Sequence, residues 1–384
     1  MRMTRRLLDS VGVAMVLAIV IVLLRLTTAA GQAPSTTEWG HPSLEGIWLD
    51  VYSTPLQRAP EFGDREFATA EERAAQNQSR MGAGNQSRGP TGTAQDVSGA
   101  YNAVYTSVKP AGPRTSLIID PPNGRLPAVT EEAKRNAEVQ REWRQTLMRN
   151  TPTCEQSARG CEGGEYGPPS PRRFDVAPFY NTQRMNRHDG PEDQSLGDRC
   201  MSGRTPDFNG FRRIVQGENA VAVGYDTGQG QGFQRIINLS GNHPPNQIRL
   251  RHGDSRGHWE GQTLVIETTN FSPKFTYRPV RQGVESGANR TLIERYTRMD
   301  AETLEYEVTI EDPTVWVAPW TIRQTLTRQS DQENRIYYEP RCYDGNYGLP
   351  AMFIGARMKE QAFASGTGPD PFSQDSTTGG GGAR

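Results

Sequence analysis

Lysine is scarce in this chain: Lys109, Lys134, Lys274 and Lys359 are the four present, and the other basic residues are arginine. Neither sign of charge is in excess, with 43 basic residues against 44 acidic, so no field gathers nucleic acid or an anionic membrane surface. The expected partner is a small-molecule ligand or substrate, with no nucleic acid and no membrane beyond an N-terminal anchor. Cysteine occurs four times, without a C-x-x-C pair and without histidines spaced to complete a zinc set, so no metal site is expected. No nucleotide loop, haem motif or flavin fingerprint appears, and no cofactor is expected. Only 34% of residues are hydrophobic, while 40 glycines and 27 prolines are present. That balance favours many short elements joined by turns over long helices. With 384 residues a substantial core can still be buried.

The first thirty residues set an expectation for compartment. MRMTRR is basic, VGVAMVLAIVIVLL is apolar, and TTAAGQA supplies small residues suited to cleavage after Ala30. The apolar run is short for a bilayer span. It reads as a signal peptide over residues 1–30, with an uncleaved anchor as the alternative, and no cysteine follows it to carry a lipid. A periplasmic or secreted location follows, and in an oxidising compartment Cys154, Cys161, Cys200 and Cys342 are expected to form disulfides. Of the three connectivities, Cys154 with Cys161 and Cys200 with Cys342 is preferred.

Residues 31–43 form a polar linker, and 44–364 read as one β-rich domain with insertions at about 64–110 and 130–165. The tail over 365–384 is expected to be disordered. Helices are expected at ATAEERAAQNQ and, after Thr130, at EEAKRNAEVQREWRQTLM, where a Thr cap precedes acids in the first turn. SLIIDPPNGRLP predicts a strand closed by a PPNG turn. From 211 to 342, FRRIVQ, NAVAVGY, GFQRIINLSG, QTLVIETTNF, TLIERYTRM, TLEYEVTIED, WTIRQTLTR and RIYYEPRC arrive as short β-prone segments broken by turn residues. The fold class is mainly β, an antiparallel lipocalin-like barrel or a sandwich. WEGQTLVIETT and MDAETLEYEVT echo each other, as one turn-plus-strand unit used twice would. Gly46-Ile47-Trp48 matches the G-x-W that opens lipocalin-like barrels, although a first-strand Trp also packs ordinary cores.

The stretch GDSRGHWEGQT fits G-x-S-x-G, but a nucleophile elbow needs a helix after the serine and a histidine downstream. A strand pattern follows instead, and His258 is the last histidine. Ser255 is therefore read as part of a tight turn. His252, Asp254, His258 and Glu260 form a metal-like set that a solvated hairpin with polar tips explains equally well. More informative are polar residues on apolar strand faces: Arg235 with Phe233, Ile237 and Leu239; Glu294 with Leu292 and Tyr296; Gln324 with Trp320, Ile322 and Leu326. An inward Arg and an inward Glu must pair or meet a ligand, because an unpaired buried charge costs several kcal/mol. Trp316 and Trp320, between prolines, either grip a ring or pack a barrel end.

LEGIWLD, EFGDREF, RTSLIIDPPNGRLP, DGPEDQSLGDRC, GDSRGHWEGQTLVIETTNF, ERYTRMDAETLEYEVTIEDPTVWVAPW and CYDGNYG together resemble a large group of exported bacterial proteins, often present in many copies in soil bacteria. The likeness spans roughly residues 44–360 and implies kinship and export but no mechanism. The Cys154 to Cys161 segment and the Gly-rich tail depart from the group's pattern. Two functions are expected. One is binding of a small apolar, aromatic or glycosidic ligand in a barrel cavity, with Arg235, Tyr296, Trp316, Trp320 and Gln324 as contacts. The other is an exported, cofactor-independent lyase, isomerase or hydrolase in which Glu294 or Asp312 is the acid or base and Arg235 stabilises an anion.

Overall fold

A computed structural model describes residues 36–84, 109–148, 188, 190–194, 199, 205–208, 211–226, 232–273, 287–329 and 348–371. Its organising feature is period-two alternation. Along β9 (Thr303–Glu311), Leu304, Tyr306, Val308 and Ile310 are buried while the residues between them are not. Along β8 (Thr291–Arg298), Leu292, Glu294, Tyr296 and Arg298 turn inward, and along β10 (Trp320–Arg328) so do Trp320, Ile322, Gln324 and Leu326. One buried side per strand leaves the other to water, and a sheet of such strands is satisfied by curling on itself. Each Leu or Ile brought inside contributes roughly 1.5–3 kcal/mol.

The remaining barrel strands are β1 (Gly46–Leu49), β3 (Phe211–Gln216), β4 (Ala220–Asp226), β5 (Gly232–Asn238), β6 (Asp254–Glu260) and β7 (Thr263–Thr269). Pairing runs β1-β3-β4-β5-β6-β7-β8-β9-β10 and returns from β10 to β1 through Trp48 opposite Arg328. The sheet is thus a closed nine-stranded barrel, which removes its free edges, and the sandwich alternative is set aside. The far edge of β10 is shared, because β2 (Ile118–Asp120) pairs with its first half and β1 with its last residues. The meander has one exception to its antiparallel order: β5 and β6 are parallel, meeting at Asn238 and Arg256. The chain over 239–253 therefore travels back along the barrel before β6 begins.

The hairpins β3–β4, β6–β7 and β8–β9 turn at one end, and the segment before β1 covers that end. Leu44 donates its N–H to Gln216, Trp48 donates its indole N–H to the Leu44 carbonyl at 2.7 Å, and His41 stacks on Trp259. Arg298 lies over the Trp48 ring and donates to the carbonyls of Ser43, Asp300 and Ala301. Trp48 does plug a barrel end, as the Gly46-Ile47-Trp48 pattern led one to expect. The opposite end holds the β9–β10 connection, where Asp312 fixes the loop by accepting from Gly287 N, Thr314 N and Thr314 Oγ1.

Two helices lie where the sequence placed them. Helix α1 (Ala70–Gly84) opens with a capping box, with Thr69 Oγ1 accepting from Glu72 N and Glu72 from Thr69 N. Helix α2 (Glu131–Met148) starts at Thr130, whose Oγ1 accepts from Ala133 N and donates to the Thr314 carbonyl. That bond ties the helix to the β9–β10 loop and puts Ala133 in the core. The PPNG turn closes with Gly124 N donating to the Pro121 carbonyl.

Two expectations are corrected. GDSRGHWE is no turn: Asp254–Glu260 is strand β6, with turns only at its flanks, Gly253 (φ +72°) and Gly261 (φ +60°). Small and polar residues hid the strand because two of its inward positions, Ser255 and Gly257, are not apolar and only Trp259 is. Gly257 is required there, since a Cβ would lie 2.9 Å from Ile237 Cγ2 across the parallel junction. Residues Gly348–Ala364 form helix α3, which no cap or acidic first turn announced. Cys154, Cys161, Cys200 and Cys342, the signal segment and RIYYEPRC lie outside the described residues, as does the tail after 371.

Candidate functional site in the barrel interior

Alternation on β5 and β8 brings Arg235 and Glu294 inside, 4% and 0% exposed. They meet as a two-point ion pair. Nη1 reaches Oε1 at 3.0 Å and Nη2 reaches Oε2. Arg235 Nε donates to Ser255 Oγ at 2.8 Å and Nη2 also to Thr268 Oγ1 at 2.8 Å. Tyr306 donates to Glu294 Oε1 at 2.9 Å. Burial disfavours the guanidinium charge, but the Glu294 carboxylate more than restores it and the Arg235 pKa is raised. This is a closed network in which the donors and acceptors answer one another.

A second interior arginine, Arg212 on β3, is held differently. Its guanidinium lies 4.2 Å from the Tyr306 ring centre and 5.9 Å from those of Tyr225 and Tyr296. Nη2 donates to the Asp207 carbonyl and, at 3.4 Å, to Gln324 Oε1. Nε is buried without an acceptor among the described residues. Its pKa is also raised: burial opposes the charge, while Tyr296, Tyr306, Tyr225 and Asp207 favour it. Burial raises the pKa of all three tyrosines, so at neutral pH they are uncharged.

Aromatic side chains continue from here to the end opposite Trp48. Tyr225, Phe233 and His252 stack in a row, with centroid separations of 4.5 and 4.3 Å and interplanar angles of 11°. Phe208 meets Trp320 edge-on at 6.4 Å and Trp316 meets Trp320 at 5.9 Å. Between these groups runs the buried segment 205–208. Thr205 bonds His252, the Asp207 carbonyl accepts from Arg212, and the Phe208 carbonyl accepts from Gln324 Nε2 at 2.7 Å.

No protein-family model and no curated protein matches the chain. Among solved structures, the crystal structure of an asparagine-to-alanine mutant of the fluorescent protein UnaG aligns with 32% of this chain and 72% of its own, at 13% identity and a TM-score of 0.19. A likeness that slight carries no argument, and the barrel rests on its own strand pairing.

Of the residues singled out from sequence, the interior brings together Arg235, Glu294 and Tyr296, the last through the Tyr225 hydroxyl at 3.4 Å and the Tyr306 ring. Gln324 joins Arg212, Asp50 and Phe208. Asp312 stands apart as the anchor of the β9–β10 loop. Trp316 and Trp320 are 4% and 0% exposed, and they meet edge-on at the end opposite Trp48. Ser255 faces Arg235 and Thr268, and strand β7 follows it, so it has neither the base nor the helix of a hydrolase nucleophile. The metal-like set is dispersed: His252 stacks inside, Asp254 binds Arg256 and His243, and His258 with Glu260 lies on the outer surface. Arg212, Tyr225 and Phe208 were missed. In FRRIVQ, charged residues occupy both faces of the strand, and only closure of the barrel says which arginine is inside.

His252 gives a pH prediction. Its pKa is lowered from 6.5 to about 3, by burial first and then by the charges of Arg251, Arg235 and Arg290. Between those values the unfolded chain binds a proton that the folded one refuses. Stability from this group is whole above pH 6.5 and falls as the solution is acidified, by up to about 1.4 kcal/mol per pH unit. Urea midpoints at pH 7 and pH 4.5 should differ less in His252→Gln than in wild type. Equal acid losses in the two proteins would refute this assignment.

Proposed function

We propose that this is an exported protein that binds a small apolar, aromatic or glycosidic ligand at the barrel end opposite Trp48. The observation that carries this reading is the pair of indole N–H groups of Trp316 and Trp320, both buried without an acceptor among the described residues. An unpaired buried donor costs about 1–3 kcal/mol, and two beside flat aromatic surfaces suit a ring that brings an acceptor with it. Trp316 and Trp320 supply donors, and the Tyr225, Phe233 and His252 row supplies a stacking surface. Gln324 orients the group between them. Export rests on the basic and apolar N-terminus, with the four cysteines as disulfides in that compartment.

The enzymatic alternative is not favoured. Glu294 has both oxygens committed to Arg235, with Tyr306 and Thr268 as further donors, and Asp312 is spent on its loop. Native mass spectrometry of protein recovered from a bacterial periplasm tests the proposal. The expected result is a chain beginning after Ala30 that carries a non-covalent adduct, lost on denaturation and much reduced in Trp316→Phe with Trp320→Phe. An adduct-free protein whose tryptophan emission ignores a panel of aryl compounds and glycosides would overturn it.

A further inference from the structure

We infer that the ligand is a planar aromatic anion whose carboxylate is held by Arg212. The inference rests on the binding role just proposed and names the class of ligand. Its ground is the contrast between the two interior arginines. Arg235 faces a carboxylate and has every donor edge answered. Arg212 is 3% exposed, has no carboxylate within ion-pair distance among the described residues, and leaves Nε without an acceptor. A buried cation with no carboxylate in contact, favoured only at longer range by Asp207 and Asp50, is costly, and an anion on it removes part of that cost.

The geometry says how the anion is received. Nε and Nη2 form one of the two-donor edges of a guanidinium, the arrangement that matches the two oxygens of a carboxylate. Nη2 on this edge already holds an oxygen, the Asp207 main-chain carbonyl, while Nε holds none. A ligand carboxylate takes Nε and replaces the Asp207 carbonyl on Nη2. Gln324, which touches the same guanidinium and the Phe208 carbonyl, remains as the link to the segment above. The body of the ligand is placed by the rings around Arg212, and the stacked row from Tyr225 to His252 favours a flat body over a flexible chain. His252 is uncharged at neutral pH and adds no cation of its own.

Isothermal titration of the protein lacking residues 1–30 with 2-naphthoate and with 2-naphthamide separates the ideas, because the two probes share shape and differ in charge. The expected result is naphthoate binding tighter by about tenfold or more, the range of a hydrogen bond to a charged group. Arg212→Gln should bring that ratio close to one without weakening naphthamide, and Arg212→Lys should keep part of it. Equal affinities in wild type, or a ratio unchanged in Arg212→Gln, would overturn the anion while leaving the binding role intact. Binding of neither probe would overturn the planar aromatic anion, and the binding role would still be decided by the adduct and the glycoside panel. If Arg212→Gln does not fold, the wild-type ratio and Arg212→Lys still decide.

Discussion

Glu294→Ala is expected to destabilise the protein by about 3–5 kcal/mol, because it strands Arg235 as a buried charge whose only full partner has gone. Domains are stable by roughly 5–15 kcal/mol in all, so the loss removes a large fraction of what holds the barrel. The carboxylate also accepts the Tyr306 hydroxyl, and that donor is orphaned with it. The pair's net worth is much smaller than the cost of breaking it, since both ions were desolvated to form it. Arg235→Met combined with Glu294→Leu should therefore recover most of the loss, apart from the Ser255, Thr268 and Tyr306 hydroxyls left facing apolar groups. Urea unfolding of the two singles and the double measures this directly. A double variant no better than Glu294→Ala would mean that the network stabilises in its own right. A mild Glu294→Ala would mean that water reaches Arg235.

How far the sequence could be read follows from which signal each residue carries. Leu304, Tyr306, Val308 and Ile310 alternate cleanly with glutamates and threonines, so strand, face and core position were legible together. The inward direction of Arg235, Glu294 and Gln324 was legible for the same reason, because each has apolar neighbours two residues away on the same face. Their contacts were not. Arg235 and Glu294 are separated by three strand pairings, and only the closure of β10 onto β1 makes their faces converge. Strand β6 failed the same test from the other side, since its inward residues are Ser255, Gly257 and Trp259 and only the last is a large apolar side chain. Arg212 was invisible because Arg213 beside it has the same chemistry. Segment 205–208 has no period at all, and its burial comes from the groups it bonds and from Phe208 packing on Trp320.

Trp48→Ala should rank with Glu294→Ala, at about 3–5 kcal/mol for loss of a fully buried indole. The reason is its place in a chain of dependencies at the hairpin end. The indole N–H holds the Leu44 carbonyl, Leu44 N holds Gln216, and Gln216 Nε2 holds the Pro42 carbonyl. Removing the ring frees the segment that covers this end. It also uncovers Arg298, whose three donor bonds all go to main-chain carbonyls and which has the Trp48 face 4.6 Å away. Trp48→Phe separates the two contributions. It keeps a ring beneath Arg298 but orphans the Leu44 carbonyl, so it should cost about 1–3 kcal/mol. A cycle of Trp48→Ala with Arg298→Ala should give a coupling of roughly 0.5–2 kcal/mol, the range of a partly desolvated cation on a ring. Strict additivity would show that Arg298 secures the hairpin through its carbonyls alone.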